Sequence, residues 1–510
     1  MIDHVFVVML ENRSFDHMLG FSQIQGTDPS GKLTKVEGLT GKESNISLSG
    51  DLVNVSSPAD FVLNYGPGHE FNDVKEQLCG KSHTYSSPAP SPGQIDPNIN
   101  NSGYVSNYSV YDRKNPGNIM KCYLPEQLPI LTTLAKEFAV CDRWFSSLPG
   151  PTWPNRFFIH AASSGGLDDS PSFSREFKSI LYDGFKFDNG TIYDQLNSED
   201  LDWMIYCDDE FPQVLSIAGM RSHFTKHFTQ FNLFKQDVSN PLFSKSYVFI
   251  EPDYHAFTGN FRGGNSQHPM DDITRGEKML KEIYEVIRKS PHWESSLLII
   301  TYDEHGGFYD HVVPPATVHP GDSISDPSNN HNNFDFQQLG VRVPTIIVSP
   351  LVPKGTIDHT VYDHSSVLAT VEKLFKLSSL TKRDQKAETL NHLLTLSAPR
   401  TDTPAVLPNP ADSGFSYKDE DEKPKNAMVS FLSGIMSGRI SLLRREPVDP
   451  SLRGFHHVAL LRDLGDSPST GKEQHFERFL RHKKVDAVRY MQQVRQKVTA
   501  KGHEISAKES

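Results

Sequence analysis

The stretch 297 LLIITYDEHGGFYDH 311 decides how this chain is interpreted. Its apolar start, Leu297–Thr301, is typical of a strand that is buried on both faces of a parallel sheet. Gly306 and Gly307 interrupt any helix and favour a tight turn that another segment can approach closely. The polar side chains of the stretch are carboxylates and imidazoles, namely Asp303, Glu304, His305, Asp310 and His311. We therefore expect this stretch to form the floor of an active site.

Three further apolar runs predict buried strands of the same parallel sheet: Val5–Leu10, Tyr247–Ile250 and Pro344–Val348. Apolar residues at helical spacing predict a helix over residues 271–290, and a strand–helix–strand unit implies a right-handed crossover. A second helix is predicted for Val367–Phe375. Residues 20–60 and 80–103 are rich in Gly, Ser, Asn and Pro and are expected to be loops. Together these elements predict an α/β fold with a mostly parallel central sheet.

Polar side chains follow three of these strands, at the sheet edge where open parallel sheets bind ligands. They include Glu11 and Asn12, then Glu251, Asp253 and His255, and finally Asp303 and Glu304. Carboxylate and amide oxygens are hard ligands for a divalent cation, and imidazoles bind phosphate oxygens or protonate a leaving alkoxide. The combination indicates phosphoryl or sulfuryl transfer.

The best candidate for the nucleophile that this chemistry needs lies in the segment 145 FSSLPGPTWPNRFF 158. Its prolines and glycine predict a fixed turn, followed by a helix that begins near Pro154. Thr152 would then lie close to a helix N-terminus, which favours an alkoxide, and a bound metal ion would activate it further. The alternative is that Thr152 only caps the helix.

Composition limits the classes of partner. The 510 residues include 51 Lys and Arg against 63 Asp and Glu, a formal charge of −12. This balance argues against a nucleic-acid binder, but a local site on an acidic protein can still bind a small phosphorylated substrate. The scattered cysteines predict reduced thiols, although a disulfide stays open; they are Cys79, Cys122, Cys141 and Cys207.

Location and domain organisation are also open to prediction. No apolar run approaches the roughly 20 residues that span a bilayer, and the chain starts without a basic n-region or cleavage motif. We expect a cytoplasmic or peripheral membrane location, or secretion if the chain is processed or truncated. The pattern changes after residue 378, which predicts a catalytic domain over 1–378 and a C-terminal extension over 379–510. Within the extension, 400–428 is expected to be a linker or a surface-clinging segment. Residues 473–498 predict a helix that packs on the main domain, contacts a membrane surface or forms a dimer.

Four segments resemble the signatures of the phosphoesterase family: 11 ENRSFDHMLG 20, 151 PTWPNRFF 158, 268 HPMDDITRGEKML 280 and 302 YDEHGGFYDHVVPP 315. The family includes bacterial phospholipases C, plant non-specific phospholipases C and bacterial acid phosphatases, and it is part of the alkaline-phosphatase-like superfamily. The resemblance implies a three-layer sandwich of this type. It also implies a phospholipase C that cleaves phospholipids to diacylglycerol and a phosphorylated head group through a phosphothreonine.

The resemblance implies roles for individual residues. Metal ligands would be Glu11, Asn12, Asp303 and Glu304, for a divalent ion that stays open among Ca, Mg, Mn, Zn and Fe. The nucleophile would be Thr152, and the phosphate contacts would be His268 and His69, the latter within 66 GPGHEFNDV 74. Groups in or next to the site would be His311 and His364, while His305 and Asp310 would orient their neighbours.

Other functions stay open. An acid phosphatase acting on phosphomonoesters needs only a small polar pocket, whereas a phospholipase needs an apolar surface beside the site. Residues 254–261, Phe308 and Tyr309 are candidates for that surface, unless they pack beneath the loops, and Trp153 is a candidate wall of a substrate channel. A sulfatase is disfavoured because Thr152 replaces the modified Cys or Ser that such enzymes use. A non-catalytic lipid- or metal-binding module is disfavoured because no expected reactive group is missing. The expected partner is a phospholipid or small phosphoester, with transient contact with a membrane surface, and the oligomeric state stays open.

Overall fold

The structure is a computed structural model that describes residues 2–80, 84–171, 184–209, 212–254, 262–323 and 329–415. The strands are β1 (His4–Leu10), β2 (Gln25–Thr27), β3 (Leu33–Lys35), β4 (Ser44–Ile46), β5 (Leu52–Asn54), β6 (Ala139–Cys141), β7 (Trp203–Cys207), β8 (Phe228–Gln230), β9 (Tyr247–Glu251), β10 (Ser296–Tyr302), β11 (Ile346–Val348) and β12 (Thr356–Asp358). The α-helices are Phe15–Leu19, Phe71–Cys79, Tyr104–Tyr108, Pro129–Glu137, Thr152–Ala161, Ile192–Ser198, Phe224–His227, Phe234–Val238, Ile273–Lys289, Ser365–Phe375 and Lys382–Lys386. The predicted helix over 473–498 lies outside the described residues.

One large sheet forms the centre of the described part of the chain, in the strand order β3-β2-β12-β6-β11-β10-β1-β9-β7-β8. β1 lies between β9 and β10 and pairs with both in parallel, as predicted. β11 pairs antiparallel with both β10 and β6. The prediction of another parallel strand at Pro344–Val348 is therefore wrong, because an apolar run indicates burial but not direction. All strands of this sheet except β3 and β11 run in the same direction. This confirms the predicted mostly parallel sheet.

Both faces of the sheet are covered. Every residue of β1 and β10 is buried, on the odd and the even positions alike. Because alternate residues of a strand face opposite sides, this burial requires a layer on each side. Helix Ile273–Lys289 packs against Pro129–Glu137, and helix Ser365–Phe375 packs against Thr152–Ala161. The expected α/β sandwich is confirmed.

The predicted helices are present with small shifts. Ile273–Lys289 is capped by Asp272, whose carboxylate accepts the Thr274 N–H at 3.0 Å. The second helix begins at Ser365 instead of Val367. Residues 20–60 are not all loop, since they contain β2 to β5. Strands of three residues are too short to produce a readable alternation in the sequence.

Residues 379–415 contact the sandwich. Tyr284 Oη donates to Pro404 O at 2.6 Å, and Lys281 Nζ donates to Pro408 O at 2.9 Å. These contacts agree with a surface-clinging segment, while the domain division at residue 378 stays a prediction. The four cysteines are free and buried, as expected. Within the described ranges, no helix combines the length and the apolar character needed to cross a membrane.

Candidate active site

Asn12 lies at the centre of the candidate site, directly after β1 and Glu11. Its backbone N–H donates to Asp303 Oδ1 at 3.0 Å. Its side-chain Nδ2 donates to Thr152 Oγ1 at 3.1 Å and also to Glu304 Oε1. The structure therefore brings the threonine hydroxyl together with the acid pair, Asp303 and Glu304, around Asn12.

Gly306 and Gly307 form the turn after the acid pair, with φ values of +64° and +76°. A Cβ at Gly306 would lie 2.1 Å from Asn12 O, and a Cβ at Gly307 would lie 2.6 Å from Gly68 O. No side chain fits at these distances, so the glycines are what allow two other segments to close on the turn. The Gly306 N–H also donates to Glu304 Oε2 at 2.7 Å, which fixes that carboxylate.

Thr152 is the first residue of the helix Thr152–Ala161 and is buried. The helix begins two residues before Pro154, because a proline in the first turn needs no N–H. The N-cap is Pro151, which makes no side-chain cap. The alternative role of Thr152 as a mere cap is therefore wrong. Its hydroxyl lies instead at the positive end of the helix dipole, where negative charge is stabilised.

The loop before Thr152 is held by Asn155. Its Oδ1 accepts the Leu148 N–H at 3.1 Å, and its Nδ2 donates to Gly150 O at 2.9 Å and Pro151 O at 3.1 Å. One buried amide thus fixes the loop that precedes Thr152.

Arg156 is a site residue that the sequence reasoning missed, although it stands in a quoted motif. It is one turn after Thr152 and is buried. Its Nε donates to Asp303 Oδ2 at 3.0 Å, and its Nη1 donates to Tyr254 Oη at 2.5 Å. Burial lowers the pKa of Arg156, but Tyr254, Asp303 and Glu11 outweigh burial and raise the pKa overall. Its i, i+4 spacing from Thr152 was the available signal.

The pKa values of the two carboxyl groups in the acid pair shift in opposite directions. Burial raises the pKa of Asp303 to about 6, although the Arg156 charge opposes the rise. Burial acts in the same direction on Glu304, but the charge of His69 and hydrogen bonding from His305 hold the pKa of Glu304 below its ordinary value. His69 therefore lies within electrostatic range of Glu304, which places the 66–69 segment beside the acid pair.

Glu11 and His268 are brought together by the end of β1. The Glu11 N–H donates to Ser266 O at 2.9 Å. Arg13 Nε then donates to Gln267 O at 2.8 Å, and its Nη2 donates to His268 O at 3.3 Å. The Glu11 and His268 side chains are both fully buried. The His-Pro element thus lies along the same strand end as the first pair.

His311 lies in a separate ionic cluster. Its Nδ1 lies 2.6 Å from Asp16 Oδ2, and this contact outweighs burial and raises the pKa of His311. Asp16, Asp310 and His311 offer ligand atoms within 4.8 Å of one another, so they could hold a metal ion. Arg342, however, donates to Asp16 Oδ1 at 2.9 Å and to Asp310 Oδ1 at 2.8 Å. This fixed cation offsets one of the two carboxylate charges.

His305 and His364 lie next to the acid pair, Asp303 and Glu304. His305 Nε2 lies 2.7 Å from Gln77 Oε1, and Gln77 Nε2 donates to Gly68 O at 2.8 Å. His364 Nε2 lies 2.7 Å from the Asp303 carbonyl oxygen. Burial lowers the pKa of His364 to about 4, so this imidazole is neutral and donates to the carbonyl. Both contacts agree with positioning.

The polar residues at the end of β9 make hydrogen bonds that hold neighbouring loops. The Glu251 carboxylate accepts the backbone N–H groups of Gln213 at 2.8 Å and Val214 at 3.2 Å. Burial raises the pKa of Glu251 to about 7, although Arg156 opposes the rise. Asp253 joins Asn265, whose Oδ1 accepts the Asp253 N–H at 2.6 Å. His255 lies outside the described residues.

The aromatic candidates for an apolar opening are packed inside. Trp153, Phe308 and Tyr309 are all buried, and Phe308 stacks on His17 with ring centroids 3.7 Å apart. Trp153 therefore belongs to the core, and the expectation that it walls a channel is not supported. Most of 254–261 lies outside the described residues.

A metal ion fits the donor set around Asn12. Asn12 Oδ1 is buried and has no hydrogen-bond donor among the described residues. The carboxylates of Glu11, Asp303 and Glu304 surround the same strand ends and are themselves buried. Buried oxygens of this kind suit a hard divalent cation, which compensates their charge.

A groove of about 570 Å³ lies beside the His-Pro element, where the N–H of its lining residue Leu63 donates to Pro269 O at 2.8 Å. It is lined by residues 58–64 together with Asn115, Asn118, Lys121, Gln127 and Phe415. None of its lining residues belongs to the candidate site.

The family model for phosphoesterases matches residues 2–378. The chain belongs to the phosphoesterase family. The resemblance drawn from the four motifs is confirmed, and so is the expectation of a hydrolase acting on phosphoester bonds.

Several relatives of this phosphoesterase are named after phospholipases. It is 39% identical over 435 residues to non-specific phospholipase C6 of Arabidopsis thaliana, covering 82% of this chain and 77% of the relative. It is 38% identical over 425 residues to non-specific phospholipase C1 of the same organism, covering 80% and 74%. Phospholipase C B of Mycobacterium tuberculosis is 25% identical over 462 residues, covering 83% and 82%. A solved Vibrio parahaemolyticus protein of the alkaline phosphatase superfamily matches 59% of this phosphoesterase and 66% of its own chain, at 14% identity and a TM-score of 0.29.

Proposed function

We propose that this phosphoesterase is a phospholipase C, which cleaves phospholipids to diacylglycerol and a phosphorylated head group through a phosphothreonine. The observation that supports the reaction is the contact of Thr152 Oγ1 with Asn12, which also binds Asp303 and Glu304. The names of the relatives support the phospholipid as substrate. The proposed catalytic domain is 1–378, and residues 379–510 are the extension.

The proposed reaction has two steps. Thr152 Oγ gives its proton to a basic group of the site and attacks phosphorus, the bond to the diacylglycerol oxygen breaks, and a histidine of the site protonates that leaving oxygen. Water then loses a proton to a basic group of the site and attacks phosphorus, the bond to Thr152 Oγ breaks, Oγ takes up a proton, and the phosphorylated head group is released. His69 and His268 are proposed to bind the non-bridging oxygens as charge develops. His311 is proposed to take part in the reaction as an imidazole whose ring is oriented by the Asp16 carboxylate.

The resident cofactor is proposed to be one divalent metal ion, held by Glu11, Asn12, Asp303 and Glu304. When bound, it would lower the pKa of the threonine hydroxyl and neutralise phosphoryl charge. Its identity among Ca, Mg, Mn, Zn and Fe is decided by measuring metal content.

The test is hydrolysis of defined phospholipids, with diacylglycerol and free phosphate measured separately. We expect diacylglycerol and phosphorylated head group from the wild type, and loss of both after chelation, with recovery on adding back one metal. Release of free phosphate from monoesters without diacylglycerol would instead identify an acid phosphatase. Metal binding without turnover of either substrate would identify a non-catalytic module.

A further inference from the structure

Exposed apolar side chains gather on one part of the surface. Ile46, Leu48 and Leu52, on the hairpin of β4 and β5, are 54, 66 and 65% exposed. Val110 and Tyr111, just after helix Tyr104–Tyr108, are 63 and 41% exposed. Large contiguous apolar areas on the surface of a protein usually mark a site that binds another molecule or a membrane.

The elements that carry these two groups pack against each other. Asn45 on β4 accepts the Val105 N–H at 3.1 Å and donates to Asn101 O at 2.7 Å, which ties the hairpin to the helix before Val110. On the other side of the hairpin, a Cβ at Gly117 would lie 3.0 Å from Val53 Cγ1. The hairpin therefore lies against both the helix and the loop that follows it.

Two cations lie next to the apolar residues. Arg113 and Lys114 are exposed, directly after Tyr111. The intervening Asp112 is buried, and its Oδ1 accepts the backbone N–H groups of Lys114 and Asn115, both at 3.0 Å. The carboxylate is thus turned inward while the cations point to solvent. We call the set Ile46, Leu48, Leu52, Val110, Tyr111, Arg113 and Lys114 the hairpin surface.

The hairpin surface adjoins the candidate active site. Tyr111 Oη lies 2.5 Å from the position that a Cβ on Gly68 would occupy, and it donates to Asp73 Oδ1 at 3.0 Å. Gly68 precedes His69 and packs against Gly307 of the acid-pair turn. Asn101, which binds the hairpin, also donates its Nδ2 to Asp310 O at 3.0 Å.

We propose that the hairpin surface contacts the face of a phospholipid bilayer and so brings the site to its substrate. The apolar side chains would enter the boundary between head groups and acyl chains, and the two cations would meet anionic head groups. This inference rests on the proposed function, because a phospholipase must work at such a boundary. Asp51, between Leu48 and Leu52, is exposed and accepts a hydrogen bond from the Ser49 hydroxyl, so the positive charge of the hairpin surface lies on Arg113 and Lys114. This local positive charge on a chain of net charge −12 favours an anionic surface as the occupant.

The test measures binding without turnover. A Thr152→Ala protein is floated with vesicles of phosphatidylcholine alone and of phosphatidylcholine mixed with phosphatidylserine. In this background, Ile46→Ser/Leu48→Ser/Leu52→Ser should lower vesicle partition on the order of a hundredfold, because three largely exposed apolar side chains lose their burial in lipid. Arg113→Glu/Lys114→Glu should lower partition onto the anionic vesicles by at least about fivefold per charge, and much less onto phosphatidylcholine alone.

The matched control is Leu33→Ser/Leu242→Ser. Both leucines are more exposed than any apolar residue of the hairpin surface, at 84 and 86%. Leu242 comes shortly before the start of β9, so it lies towards the amino ends of the parallel strands, whereas the candidate site lies at their carboxyl ends. The control should partition like the Thr152→Ala protein.

Several outcomes would overturn the proposal. One is unchanged partition of both hairpin-surface variants, and another is an equal loss in the control. A third is a change in oligomeric state by light scattering without a change in partition, which would assign the surface to a second copy of the chain. Each set of substitutions is also made with Thr152 intact and assayed on a monomeric short-chain phosphatidylcholine. Unchanged turnover there, with reduced partition, supports the proposal and shows that the variants fold. If the wild type hydrolyses no phospholipid but still floats with vesicles, the proposed function fails and the surface assignment stands.

Discussion

Gly306→Ala should damage the site through the backbone of Asn12. The new Cβ would lie 2.1 Å from Asn12 O at a φ of +64°. A positive φ costs alanine about 1 kcal/mol, and the overlap adds about 1–3 kcal/mol as in overpacked cores. The turn and Asn12 must separate by about 1 Å to restore van der Waals contact. A displacement of this size at a catalytic constellation costs on the order of 100-fold in rate.

Gly31→Ala is the matched control for this prediction. Gly31 has a φ of +87°, and a Cβ there would meet nothing within 4 Å. It should show the backbone penalty alone, about 1 kcal/mol, with full activity. The assays are kcat/KM on phosphatidylcholine and urea unfolding of both variants. The reasoning is refuted if Gly306→Ala keeps kcat/KM within about threefold of wild type and is no less stable than Gly31→Ala.

Three further predictions concern single side chains. Thr152→Val should lose several orders of magnitude in turnover, while Thr152→Ser keeps a measurable rate because it keeps the hydroxyl; equal rates in phosphate-ester assays would contradict the assignment. Arg156→Met breaks a buried ion pair with Asp303 and should cost about 3–5 kcal/mol in urea unfolding, whereas Arg143→Met breaks a half-exposed pair with Glu37 and should cost under about 1 kcal/mol. Burial raises the pKa of Glu277 from 4.5 to about 7, so between these values the unfolded state loses its proton first and stability falls as pH rises. The free energy of unfolding of wild type minus that of Glu277→Gln should fall by about 3 kcal/mol from pH 4.5 to 7 and stay level above it, and a flat difference would exclude this role.

The strand ends were predictable because the signal is local. Each apolar run is followed at once by its polar residues, and parallel strands bring their carboxyl ends to one edge. This is why the sequence alone predicts that Glu11, Asn12, Asp303 and Glu304 lie together. The glycine turn was equally readable, since two adjacent glycines exclude a helix.

What the sequence did not reveal depends on long-range pairing. The antiparallel direction of β11 depends on the side from which the chain enters the sheet. An apolar run has the same composition in a parallel and in an antiparallel buried strand, so the sequence does not reveal the direction. The pairing of Arg156 with Asp303 spans 147 residues, and nothing near either residue marks the other. The closeness of Gly307 to Gly68 and of Tyr111 to the same glycine is likewise a property of the assembled fold.

The register of β1 against β10 determines how this enzyme loses activity when it unfolds. His4 to Leu10 pair residue by residue with Ser296 to Tyr302, so a fully buried ladder near the centre of the sheet holds the two carboxylate-bearing strand ends level with each other. Amides in such a ladder exchange with solvent only when the whole domain opens. Catalytic competence should therefore vanish in one cooperative event under denaturant, together with deuterium protection of these two strands, and no partly active species should accumulate on the way.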